Sequence, residues 1–256
     1  GDKDQQSSLK EIGGQGIFIK EIEAQLLEGK IDLAVHSMKD SSSELPEELI
    51  LSSFFIREDN RDALILNHAK SLAELPQGAT IATSSIRREK QLLKLRPDLN
   101  IVPIRGNVDT RIQKMKDHNY DGLVLAAAGL KRLGKEDLIT QYLSINEMIP
   151  SPNQGTIAIE MLKNHPFLET INSLKDIPLY KTVRTERLFL QEMNAGCKEV
   201  IGANAEYIEK KIHLDVIYKD AIAHVVGKMP DDTVHEAIRQ INRQIYGKVT
   251  IVGGGT

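Results

Sequence analysis

At 256 residues, with 41% hydrophobic and 27% charged side chains and a formal net charge of −3, the chain is long enough for two or three domains around a sizeable core. No apolar run approaches the ~20 residues of a membrane span, and the polar, glycine-rich residues 1–16 carry no signal-peptide pattern. One cysteine, Cys197, excludes an internal disulfide and fits a reducing cytoplasm, and a pI near 6.2 argues against bulk nucleic-acid binding.

In chain order, Ile17 to Glu28 places Ile19, Ile22, Leu26 and Leu27 on one helical stripe. Ile31 to Val35 reads as a short buried strand and runs straight into His36-Ser37-Met38-Lys39-Asp40. Asp62 to Leu66 reads as a strand, and Ser71 to Leu75 as a short helix stopped by Pro76. Ala79 to Thr83 is a strand, Ile86 to Leu95 a helix, Ile101 to Ile104 a strand, Val108 to Asp117 a helix and Leu123 to Ala127 a strand. This β-α-β-α rhythm implies parallel strands joined by crossover helices. After Ile149-Pro150-Ser151-Pro152 the pattern changes. Gly155 to Leu162 reads as a returning strand and Val183 to Met193 as an amphipathic helix. From about Ala195 the strand-like runs Ile212 to Tyr218 and Ala221 to Val226 combine with a helix over Asp232 to Ile245, as in a small α+β domain.

The polar clusters fall just beyond strand ends, the edge where open α/β sheets bind ligands. They are His36 to Asp40, Ser84 to Arg88, Arg105 to Asn107 and Lys131-Arg132. Residues 81–135 hold 12 Lys+Arg against 5 Asp+Glu, a local +7 in an acidic chain. Arginine forks on one rim suit carboxylates or phosphates. In Thr83-Ser84-Ser85-Ile86-Arg87-Arg88 the hydroxyls and free backbone N–H groups at a helix start can hold an anion. Taken alone, that hexapeptide reads better as a plain N-cap with two solvated arginines. Arg105-Gly106-Asn107 and Arg111 repeat the arrangement on the next strand. His36 to Asp40 reads as the chemical centre: Asp40, beside Lys39 and the arginines, suits stabilising a developing cation or moving a proton, the bland alternative being a capping Asp40 with a structural His36 packed in the sheet, and His36 has no partner at metal-ligand spacing. Gly13-Gly14-Gln15-Gly16 serves as a phosphate loop or a plain flexible loop. Cys197, between Gly196 and Lys198, is either a small buried hydrophobe or a favoured thiolate.

Together these segments resemble the porphobilinogen deaminase (hydroxymethylbilane synthase) family. The matching runs are Gly13-Gly14-Gln15-Gly16-Ile17-Phe18, His36 to Asp40, Thr83 to Arg88, Arg105-Gly106-Asn107-Val108-Asp109-Thr110-Arg111, Ala128 to Gly134, Gln154-Gly155 and Gly196-Cys197, in the family's order over residues 1 to about 245. The resemblance implies a transferase that joins four porphobilinogen molecules head to tail into hydroxymethylbilane, releasing ammonia, in tetrapyrrole biosynthesis. It implies a dipyrromethane cofactor thioether-linked to Cys197, with Asp40 stabilising the cation left as ammonia departs. It further implies cofactor and substrate binding by Phe18, Ser37, Lys39, Ser84, Ser85, Arg87, Arg88, Arg105, Gly106, Asn107, Arg111, Arg132 and Gln154. Each pyrrole brings two carboxylates, so many cationic donors fit the task.

The implied fold is two periplasmic-binding-protein-like α/β domains plus a small α+β domain. The boundaries expected are 1–55 with 156–175, then 60–150, then 178–246 carrying the cysteine. A cytoplasmic monomer without metal, membrane or nucleic-acid partner is expected. The family's opening strand, with its Ala-Thr-Arg-x-Ser motif, has no counterpart before Gly1, so the first domain is expected to be incomplete. Gly247 to Thr256 resembles the opening of a uroporphyrinogen-III methyltransferase, which implies a fused pathway neighbour. Departures from the family pattern are Gln15, Ser41-Ser42, Asn153, Ala195 and Lys198-Glu199-Val200. Two rivals remain at this stage, a carboxylate-binding module without chemistry and a nucleic-acid binder using the basic stretch; a binder needs neither Asp40 nor Cys197.

Overall fold

The computed structural model of the chain describes residues 15–41, 45–52, 56–194 and 199–247. Cys197, the Gly13-Gly14 pair and the residues from 248 on lie outside the described residues, as does the side chain of Phe18. The chain opens with α1 (Gln15–Leu27), β1 (Ala34–Ser37), a 3-10 turn at Met38–Asp40, and β2 (Leu49–Ser52). Then come β3 (Asp62–Leu66), β4 (Thr80–Ala82), α2 (Ile86–Leu95), β5 (Asn100–Val102), α3 (Val108–Asp117), β6 (Gly122–Ala126), α4 (Ala127–Arg132) and β7 (Gln141–Tyr142). β8 (Ile157–Leu162), α5 (Leu168–Ser173) and α6 (Ile177–Glu192) lead to β9 (Ile201–Ile208), β10 (Lys211–Tyr218), β11 (Ala221–Gly227) and α7 (Pro230–Tyr246).

These strands form three sheets, ordered β1-β8-β2, β5-β4-β6-β3-β7 and β11-β10-β9. The architecture is mixed α/β with an α+β region at its C-terminal end. The expectation of parallel strands holds only for β4 with β5 and β6. β3 runs antiparallel to β6 and β7, and β8 antiparallel to both β1 and β2. The reason lies in two chain crossings that run side by side and pair at Arg57 and Thr156. A strand that enters a sheet at the edge where its neighbours leave must run against them, so β3 and β8 are reversed.

The second sheet is covered on both faces. Leu64, Leu66, Ile81, Leu92 and Val124 pack on one side, and Ala63, Ile65, Leu123, Leu125 and Ile112 on the other. Burial on both faces explains why β3 after Asp62 is a continuous apolar run rather than an alternating one. The third sheet is a meander whose inner face packs on α6 and α7 through Phe189, Val234, Ala237 and Ile241. Two helix expectations shift. Ser71 to Leu75 shrinks to a 3-10 turn over Leu72–Glu74. α6 begins at Ile177, because Pro178 in a first helical turn loses no hydrogen bond and the Asp176 side chain caps the helix by accepting from the Leu179 N–H at 2.8 Å. Among the described residues, no helix is long and apolar enough to cross a membrane.

Candidate functional site

β4, β5 and β6 send their carboxyl ends to one edge of the second sheet, and Asp62, opposite Ala126, starts β3 at that same edge. The turn after β1 is tied to this edge by the returning crossing. The Met38 N–H donates to the Thr156 carbonyl at 2.9 Å, and Lys39 Nζ donates to Gln154 Oε1 at 3.2 Å. The sequence motifs thus meet where two sheets exchange their chains.

Asp62 sits at the centre and is 0% exposed. Arg87 Nη1 reaches its Oδ2 at 2.7 Å, while Arg88 Nε and Nη2 reach its Oδ1 at 2.9 and 2.8 Å. Gln154 Nε2 donates to the same Oδ1 at 3.1 Å. Burial alone pushes the Asp62 carboxyl up, but the two guanidiniums and these hydrogen bonds overrule it and hold it well below the usual carboxylate range. Arg87 and Arg88 also donate to the Ile149 and Val124 carbonyls, at 2.8 and 3.1 Å. Both arginines are buried and turned inward, whereas the sequence reading has them facing a ligand. Asp62 supplies a nearer carboxylate, and two buried guanidiniums require one. Its signal in the sequence is an acid opening an otherwise wholly apolar strand.

The serine and asparagine motifs shape turns. Ser84 Oγ donates to the Ile104 carbonyl at 2.7 Å and accepts from the Ile104 N–H at 2.9 Å, joining the turns after β4 and β5. Ser85 caps α2, accepting from the Arg88 N–H, and Asn107 caps α3, accepting from the Thr110 N–H at 2.9 Å. Gly106, at φ 122°, sits where a Cβ would lie 2.6 Å from Thr110 Cγ2. Arg111 Nε donates to the Gly106 carbonyl at 2.7 Å, and Arg132 Nη2 to the Gly155 carbonyl at 2.6 Å. Each keeps further N–H donors on its guanidinium. Arg105, Arg132 and Asp40 are exposed, and Arg111 is half-buried. Burial and neighbouring Arg88 lower the Arg111 pKa, with Asp40 opposing. Burial and Arg88 push Lys39 down to about 8, with Asp40 and Asp62 opposing. Ser37 caps the 3-10 turn without a side-chain hydrogen bond. His36 Nε2 lies 2.7 Å from Glu160 Oε2 inside the first sheet.

A second buried carboxylate, missed in the sequence, anchors the crossing. Glu186 of α6 is 0% exposed and pairs bidentately with Arg57 at 2.8 and 2.9 Å. It also accepts from the N–H groups of Asn153 and Ala205, both at 2.7 Å, so it joins the crossing to β9. Arg57 Nε donates to the Gln154 carbonyl at 3.1 Å. Asn153, where the resembled family has glycine, adopts φ 62°, a left-handed conformation that asparagine tolerates. Its Nδ2 donates to the Val183 carbonyl at 2.8 Å, a bond glycine could not make.

Asp40 therefore stands exposed among Lys39, Arg111 and the cationic rim, while Gln154 relays the buried Asp62 ion pairs to Lys39. This donor set fits a ligand with several carboxylates and a developing positive centre. The family model described as "Porphobilinogen deaminase, dipyromethane cofactor binding domain" matches residues 1–170. The porphobilinogen deaminase of Clostridioides difficile (strain 630) is 51% identical over 223 residues, covering 86% of this chain and 74% of the relative. That of Syntrophotalea carbinolica is 48% identical over 213 residues, 83% of this chain and 68% of the relative. That of Geobacillus sp. (strain WCH70) is 44% identical over 230 residues, 89% and 73% respectively. Among solved structures, the Bordetella pertussis BvgS periplasmic VFT2 domain is 16% identical, with a TM-score of 0.38 over 68% of this chain and 72% of that one. With the motifs in order and with relatives of this identity over most of both chains, the chain belongs to the porphobilinogen deaminase family.

Proposed function

We propose that this chain joins porphobilinogen molecules head to tail at Asp40, releasing ammonia, with Cys197 holding the dipyrromethane cofactor. The activity is that of its family, the polymerisation of porphobilinogen in tetrapyrrole biosynthesis. What supports the residue roles is one observation: an exposed carboxylate, Asp40, beside a rim of cations whose buried members share the Asp62 carboxylate. When bound, the dipyrromethane supplies the pyrrole end to which the first substrate is joined.

The roles follow from charge. Loss of ammonia from the aminomethyl group leaves a cation delocalised over the pyrrole, and a fixed anion stabilises it without reorganisation. Asp40 is that anion. Arg105, Arg111 and Arg132, with Lys39, hold acetate and propionate groups through charge-assisted hydrogen bonds. Ser84, Ser85, Gly106 and Asn107 shape the turns that carry those donors, and Ser37 precedes the turn that carries Asp40. Arg87 and Arg88 act from behind, through Asp62 and Gln154, by fixing the edge. Phe18, on α1, completes the set of residues proposed to bind cofactor and substrate. The units proposed are residues 1–55 with 156–175, 60–150 and 178–246, working as a monomer.

Intact mass spectrometry of the purified chain tests the cysteine. A covalent adduct of dipyrrole size should be present and should vanish in Cys197→Ser; an active protein with unmodified Cys197 would overturn the assignment. Asp40→Asn should keep substrate binding and lose turnover by on the order of 10² or more. Near-normal turnover in that variant removes Asp40 from the mechanism.

A further inference from the structure

The first sheet buries an excess of acid. On α1, Ile19, Glu23 and Leu26 follow one another at helical spacing, so an acid sits within the apolar stripe, and Glu23 is only 8% exposed. From the same helix, Ile22 and Leu26 pack with Ala34 of β1, Leu49 of β2 and Leu162 of β8. Farther along that face of the sheet, Val183 of α6 packs with Ala158 and Met38. Glu160 alternates with Ala158 and Leu162 on β8, so it lies between the ground covered by the two helices, and it is 1% exposed. His36 Nε2 reaches its Oε2 at 2.7 Å. Glu160 Oε1 and Glu23 Oε1, both buried, have no hydrogen-bond partner among the described residues. The charged groups that act on Glu160 are Glu23 of α1 and His36 of β1. Its other neighbours are apolar, since Ala34 and Leu51 lie opposite it on β1 and β2, and α6 presents Val183 to this face.

Two carboxylates against one imidazolium leave a net negative charge in the interior, and two acceptor oxygens without a donor. One further proton removes both defects, because a carboxylic acid can donate to the carboxylate beside it. We propose that Glu23 and Glu160 hold one proton between them, and that with His36 they form a clasp fastening α1 to the first sheet, closed while the proton is bound and opened when it leaves. Burial raises the Glu160 pKa and Glu23 adds to the rise, while His36 opposes it. The clasp borders the site already described, since β1 runs from His36 through Ser37 into the turn that carries Asp40. On the reading above that Asp40 is the site of pyrrole joining, loss of the proton frees α1 and loosens that turn, so substrate binding weakens in alkali.

Infrared spectroscopy of the full-length protein carrying its cofactor reads the proton. A protonated carboxyl stretch should be present at pH 7 and be missing from Glu23→Gln and Glu160→Gln alike, because one remaining carboxylate beside His36 needs no extra proton. Its absence from wild type, or its survival in either variant, would overturn the shared proton. Amide hydrogen exchange with mass spectrometry reads the clasp. As pH rises, residues 15–27 of wild type should lose protection beyond the ordinary base-catalysed rise, by up to about tenfold per pH unit for one proton. In Glu23→Gln they should follow the base-catalysed rise alone, and the same course in both proteins would overturn the clasp. KM for porphobilinogen should climb with pH in wild type and stay level in Glu23→Gln, with kcat unchanged at pH 7. Equal courses of KM would overturn the link to the site. Wild-type protein that forms no linear tetrapyrrole would instead refute the reading beneath that link, while the infrared and exchange results still judge the clasp.

Discussion

Replacing Asp62 with asparagine keeps the shape of the side chain and removes the one charge that Arg87 and Arg88 share. Both arginines retain their carbonyl partners, Ile149 and Val124, so the variant leaves two hydrogen-bonded but unneutralised guanidiniums in the interior. Breaking a buried ion pair from one side costs about 3–5 kcal/mol. For a chain of this size, at about 2–4 °C per kcal/mol, that predicts a melting temperature lower by roughly 6–20 °C. The assay is thermal melting followed by circular dichroism at pH 7, repeated down the acid limb. The sign follows from the depressed folded-state pKa of Asp62. Its contribution is complete above the unfolded value of about 3.9 and disappears as pH falls from there toward the folded value. The gap between wild type and Asp62→Asn should therefore be constant from neutral pH to about 5 and close below about 4. A variant that melts with wild type at pH 7, or a gap that grows in acid, would refute Asp62 as the anchor of this edge.

Other expectations rest on single contacts. Gly155 has φ +84°, and a Cβ there would lie 2.3 Å from the Glu58 carbonyl oxygen, so Gly155→Ala must part the two crossings. A loss of about 1–3 kcal/mol in urea melts is expected, and an unchanged midpoint would refute the close approach. At Asn153, glycine should be tolerated better than alanine. Both lose the bond to Val183, but only alanine opposes the left-handed backbone by about 1–2 kcal/mol. Equal melting temperatures for the two variants would remove that reasoning. Burial, with Glu23 alongside and His36 opposing, raises the Glu160 pKa, so the stability it lends is full at low pH and is lost as pH rises through the folded value. Glu160→Gln should flatten that decline. A decline as steep as in wild type would show that Glu160 does not cause it.

Much of the local structure is legible one segment at a time. Val108 to Asp117 is a helix in the sequence and in the structure, because its cap at Asn107 and its apolar spacing are both local. The strands β4 and β6 are equally plain, as short apolar runs closed by turn residues. Strand direction is not local. Nothing within Ile157 to Leu162 states that β8 enters between β1 and β2 and runs against them, because direction is set by where the chain crosses between sheets. The same limit governs the site. The motifs give Asp40, Lys39 and the arginines by residue type and order, and the side-chain partners then divide those cations into two kinds.

The sequence by itself determined that this chain concentrates cationic donors at strand ends around one acidic turn, since that is a matter of residue type and spacing. Tertiary structure alone decided how those cations are paired. Arg87 and Arg88 share Asp62 because a buried guanidinium must find a carboxylate, and β3 brings one to the same edge. Lys39 is left on the Gln154 amide oxygen, where burial and the neighbouring Arg88 lower its pKa.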